Sequence, residues 1–327
     1  MVKVISLIVS ESKMLSLTKH KTLHLLGARR PLVFSVLQAS SERQTNPAQF
    51  CLEAVRRTDY EHFLTNLLLP RKIKTDSFAI RAFSSEVANV RENVSERTLG
   101  LMRLQFWRDT IERLYEGDCP QHPVAIQLFR IIKQSRPSKQ LFLNIISSRE
   151  QFLSDQPFAS LEEVEKYGEE AFSSVYLLLL ESLGNKNGHV KHAVTQLGRG
   201  EALVTLLRAL PYNAAKRRCY LPSDLLLERD VSTEQVLRGG NTEDLSQELR
   251  EIIEVVAGRA EQHLENSRFR AKYLSREEKL LLLPAVGADQ YLGSLSKVSC
   301  NPWHPTLNKR NSWLPMSLYW HKFKQSY

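Results

Sequence analysis

From about Cys51 onward, apolar side chains recur every three or four positions. Leu101, Leu104, Trp107, Ile111 and Leu114 follow this rule, as do Leu245, Leu249, Ile252, Ile253, Val256, Ala260 and Leu264. That spacing puts each set on one face of a helix. No segment alternates apolar and polar residues with the period of two that a half-buried strand requires. Breaks fall at Pro70, Gly117 with Pro120, Pro137, Gly184 to Gly188, Pro222, Gly239 with Gly240, and Pro284. Proline and glycine end helices for opposite reasons, one by removing an N–H and the other by freeing the backbone, so these positions divide the pattern into helices. The predicted fold class is all-α, with helices packed around one core.

The chain has 327 residues and is 42% hydrophobic, enough for one large helical domain preceded by a leader. The longest apolar runs, 175–180 and 280–284, are far short of the roughly 18 residues that a membrane span needs. Cys51, Cys119, Cys219 and Cys300 are scattered without metal-ligand spacing and read as reduced structural thiols. His62, His189, His192 and His263 also lack further ligands at metal spacing, so no metal is expected. No phosphate-cradling glycine loop or nucleophile elbow occurs in a supporting context, and no cofactor is expected.

Net charge is +9, and +5 of it lies in residues 1–49, where Lys3, Lys13, Lys19, Lys21, Arg29, Arg30 and Arg43 face only Glu11 and Glu42. The body is therefore close to balanced, and nucleic acid is not an expected partner. The leader is basic, Ser-rich and poor in acids, the composition of a mitochondrial transit peptide. We divide the chain into a leader or disordered tail, 1–45, and a helical domain, 46–327.

Segment 197–222 reads LGRGEALVTLLRALPYNAAKRRCYLP. It resembles, without a gap, the second metal-binding helix of squalene and phytoene synthases. Leu197, Gly198, Arg199, Leu203, Leu207, Arg208, Arg218, Tyr220, Leu221 and Pro222 fall in register. Segment 78–93, FAIRAFSSEVANVREN, resembles the first aspartate-rich helix, and RLQFWRDTIERLY at 103–115 and LPAV at 283–286 resemble further blocks. The resemblance covers roughly residues 50–300. It implies an isoprenoid (terpenoid) synthase-like fold, a single helical domain around a central cavity. Ser160 with Glu163 is expected to form a capping box opening the next long helix.

The metal-binding chemistry of that family is missing. Ala88 and Asn89 stand at the paired-aspartate positions of the first motif, with Glu92 the nearest acid. Thr205, Ala209, Tyr212 and Asn213 stand where the second motif carries its ligands. Positions 205, 209 and 213 would share a helix face, but none supplies the negative charge that magnesium seeks. Pro211 should in addition bend the helix. Among family members, loss of both motifs resembles a mitochondrial group that serves the assembly of respiratory complex I. That likeness implies a non-enzymatic chain, peripheral on the matrix side of the inner membrane, with complex I subunits or early assembly intermediates as partners. Residual prenyl-diphosphate transfer and an isoprenoid or lipid carrier remain as alternatives.

Two further clusters carry two readings each. Arg199, Arg208, Lys216, Arg217 and Arg218 either contact an anionic headgroup or form an ion-paired surface. Trp313, Met316, Trp320 and Phe323, interleaved with Lys309, Arg310, Lys322 and Lys324, make either a membrane-interface stripe or a helix docked on the core.

Overall fold

The computed structural model describes residues 46–327 apart from 95, 186 and 240–244, so the leader assignment lies outside the described residues. Among the described residues there is no strand, in keeping with the helical periodicity. In order, the longer helices are α1 (Pro47–Thr58), α2 (Tyr60–Leu68), α3 (Arg71–Ala88), α4 (Arg97–Glu116), α5 (Pro123–Ser135) and α6 (Lys139–Glu150). They continue with α7 (Leu161–Gly168), α8 (Ser174–Ser182), α9 (Gly188–Ala215), α10 (Gln247–Arg270), α11 (Pro284–Lys297) and α12 (Leu314–Lys324).

Their ends follow the sequence. Asn46 caps α1 by accepting from the N–H of Ala48, and Pro47 follows at the first helical position, where a missing N–H is harmless. Asp59 separates α1 from α2 and caps the latter by accepting from the N–H of His62. Gly117 closes α4 at φ +98°, a left-handed conformation that a side chain would disfavour. The helix expected over 78–93 loosens at Asn89, so Glu92 rides on a separate single turn, Val90–Asn93. The capping box expected at Ser160 does not form. Glu163 reaches back to the N–H of Ala159 instead, one residue earlier, and Ser160 makes no capping bond to the helix backbone.

Helix α9 is the axis of the fold. Apolar residues are buried around nearly its whole circumference, including Val190, Leu197, Leu203, Leu207 and Leu210, as expected of a helix surrounded by others. Pro211 lies inside it, and the helix continues past that residue to Ala215. It packs most extensively on α10 and also meets α7, α8 and α11. Between α7 and α8 the chain widens into a π-helical turn, Glu169–Ser173. There it passes so close to α9 that a Cβ on Gly198 would lie 2.6 Å from the backbone nitrogen of Ser173. Gly198 is thus required by the crossing, not by its backbone angles. In α4, Leu104, Trp107, Ile111 and Leu114 are buried as the period predicts, but Leu101 faces outward.

Candidate functional site: an eroded metal centre closed by ion pairs

The end of α3 and the middle of α9 face each other, so Ala88 and Thr205 line one central cavity of about 110 Å³. Ala88 also borders a smaller space of about 20 Å³ with Glu92, Asn213 and Arg218. The two motifs therefore converge across the core. Ala209 is buried in packing, and neither it nor Asn89 lines either space.

Glu92 is the surviving acid, and its side chain is only 2% exposed. Tyr212 donates to its Oε2 at 2.6 Å, Arg218 donates to Oε1 at 2.9 Å, and Lys216 forms a further ion pair. Burial alone would raise the carboxyl pKa. The bonds from Lys216, Tyr212 and Arg218 outweigh it and hold the group at about 2. Arg218 also reaches Asp155 at 3.3 Å, and Asp155 in turn pairs with Arg91 and accepts from the Tyr220 hydroxyl at 2.7 Å. Both carboxylates thus have each oxygen engaged by at least one protein donor. A divalent ion entering here would first have to break charge-assisted bonds.

The remaining cations of the cluster are also engaged. Arg199 pairs with Glu169, Arg208 with Glu61 at 2.8 Å, and exposed Arg217 with Glu234 at 2.9 Å. Of the five, only Arg208 lines the central cavity, and Arg218 lines the smaller space.

Sequence reasoning missed a second buried network across that cavity. His62 Nδ1 lies 2.8 Å from Asp59 Oδ1, and Nε2 lies 3.0 Å from Glu201 Oε1. Tyr176 donates to Glu201 Oε2 at 2.8 Å, and Arg81 sits 5.0 Å above the Tyr176 ring. Burial and Arg81 push the imidazole pKa down, but Asp59 and Glu201 prevail and raise it to about 9. His62 is therefore a cation between two carboxylates at neutral pH. Only Asp59 and His62, three apart as the cap and first turn of α2, left a local trace, because Glu201 is 139 residues from His62. Among the described residues, no group of three or more His, Cys, Asp or Glu is placed to hold a metal. No described helix is long and apolar enough to cross a membrane.

The helical cage with two facing motif helices defines the class. The squalene/phytoene synthase pattern matches residues 55–317, and the chain belongs to the squalene/phytoene synthase family. Solved structures share the fold. A dehydrosqualene synthase in complex with ligand superposes with a TM-score of 0.73 at 17% identity, over 85% of this chain and 95% of that one. The squalene synthase HpnC from Alicyclobacillus acidocaldarius gives 0.70 at 15% identity, over 78% and 95%. Much nearer in sequence is the Bos taurus protein named NADH dehydrogenase (ubiquinone) complex I, assembly factor 6, 35% identical over 90% of this chain and 87% of that protein. The Homo sapiens protein of the same name is 36% identical over the same shares, and the Drosophila melanogaster homolog is 31% identical over 84% and 82%.

Proposed function

We propose that this chain serves the assembly of mitochondrial respiratory complex I, at an early intermediate, as a non-catalytic member of its family. It acts from the matrix face of the inner membrane as a peripheral protein, after residues 1–45 have delivered it to the organelle. The observation that carries the non-catalytic part is the closure of Glu92 by Tyr212, Lys216 and Arg218. The names of the relatives support the assembly part. A synthase of this family needs metal at both motifs to draw diphosphate from an allylic carbon, and here protein cations occupy the one acid that is left. The carrier alternative is disfavoured by size, because a cavity of about 110 Å³ is well below the roughly 300 Å³ at which small-molecule pockets begin.

The test is depletion followed by rescue. Depletion should lower assembled complex I and leave the other respiratory complexes intact. Thr205→Val, which removes the hydroxyl at a former ligand position while keeping volume, should rescue. Leu207→Asp should not, because it places an unpaired charge at a fully buried position. Normal complex I after complete depletion would overturn the assembly role. Failure of a folded, abundant Thr205→Val chain to rescue would return chemistry to the cavity. Peptide mapping of the rescued protein should find its N-terminus between about Arg30 and Pro47.

A further inference from the structure

The last helix presents an apolar face with no partner in the fold. Leu314 and Leu318 of α12 are buried, and both line the central cavity, so this side of the helix seals the core. Trp313, Met316, Tyr319, Trp320 and Phe323 are 55% to 77% exposed. At about 100° of turn per residue, these five lie on the side of the helix opposite to Leu314 and Leu318. The same geometry puts Lys322 at one margin of the outward face and Lys324 at the other. The helix is thus apolar on two opposite faces, one satisfied by the protein and one not.

The charged side chains at this end of the chain have one sign. Beyond Asp289 the chain has no Asp or Glu, but carries Lys297, Lys309, Arg310, Lys322 and Lys324. Lys322 donates to the carbonyl of Leu68 at 2.8 Å. Partial burial and the nearby charges of Lys74 and Arg276 lower its pKa. Three cations from three parts of the chain therefore converge at Lys322, on one margin of the outward face, where they repel one another. An anionic surface would relieve that repulsion.

We propose that α12 with Trp313 is the element through which the protein sits on an anionic lipid bilayer, its outward aromatic face at headgroup depth and its flanking lysines on lipid phosphates. The inference supplies a surface for the peripheral location proposed above, and it rests on that reading only for the choice of membrane. A lipid surface fits better than a protein groove because Trp, Tyr and Lys at one depth match the amphipathic belt of an interface. A protein partner would have to bring its own carboxylates in register.

Tryptophan fluorescence isolates this surface from the basic leader, because Trp107, Trp303, Trp313 and Trp320 are the only tryptophans and none lies in residues 1–45. The whole chain is mixed with vesicles of phosphatidylcholine, alone or with phosphatidylglycerol, carrying brominated acyl chains that quench on contact. The expected result is quenching with a blue shift, roughly tenfold tighter on the anionic vesicles and weakened by salt. Trp313→Phe/Trp320→Phe should abolish the quenching while vesicle flotation persists, which assigns the signal to α12. Met316→Ser/Tyr319→Ser/Phe323→Ser keeps both reporters, changes only exposed side chains, and should lose the quenching with helix content unchanged. Flotation of the whole chain without any quenching would show that the leader or another face holds the membrane, and the proposal would fall. So would an absence of quenching together with crosslinks from position 320 to another mitochondrial protein. The vesicle measurement contains only this protein and lipid, so its failure leaves the assembly role standing, and normal complex I after depletion leaves this anchor standing.

Discussion

Replacing Glu92 with Gln tests whether the residues gathered around it form a structural ion cluster. The carboxyl pKa falls from 4.5 in an unfolded chain to about 2 in the folded one, and each pKa unit corresponds to about 1.4 kcal/mol. The full shift is worth about 3 kcal/mol at neutral pH. Lys216 is 39% exposed, so solvent screens part of its share, and a loss of about 2 kcal/mol is expected for the variant. Because the folded pKa is depressed, this stability is fully present above about pH 4.5 and disappears as pH falls through about 2. Urea unfolding at pH 7, 4 and 3 should therefore show a gap between wild type and Glu92→Gln that shrinks to less than half by about pH 3. Glu92→Ala should do more harm, about 3 to 5 kcal/mol, since it strands two cations and the Tyr212 hydroxyl. A gap below about 0.5 kcal/mol at pH 7, or one that does not change with pH, would refute the reasoning.

Two other outcomes follow from the packing and the second network. Gly198→Ala forces a methyl into the backbone of Ser173, and should lower stability by about 2 to 3 kcal/mol in the same urea assay, since backbone cannot rotate away as a side chain can. A neutral effect would mean that the crossing of the π turn and α9 is looser than described. The raised pKa of His62 stabilises the fold fully below about pH 6.5 and ceases to do so as pH rises through about 9. Thermal melts between these values should decline in the wild type and be flatter in His62→Gln, and equal slopes would place the proton elsewhere.

Much of the architecture was legible because helices are written locally. The period of α10 and the breaks at Pro70, Gly117 and Pro284 need only neighbouring residues to be read. The site was legible only as a loss. Ala88, Thr205 and Ala209 stand where the family resemblance expects ligands, but nothing in the sequence announces the ion cluster found nearby, because Lys216 and Arg218 meet Glu92 across 124 and 126 residues. Ion pairs at such separation leave no periodic trace. The stripe in α12 was ambiguous for a related reason. Helical spacing is the same whether a face turns inward or outward, and Leu314 and Leu318 took the inner side.

The ion cluster at Glu92 also bears on what a new metal ligand nearby would cost. An aspartate returned to position 209 alone would be a buried carboxylate in packed surroundings, without a metal to neutralise it and with Lys216 and Arg218 already committed to Glu92. Such a chain would be less stable than either endpoint. A carboxylate at position 209 is therefore uphill by itself, and the ion pairs at Glu92 act as a ratchet that holds the site in its present arrangement.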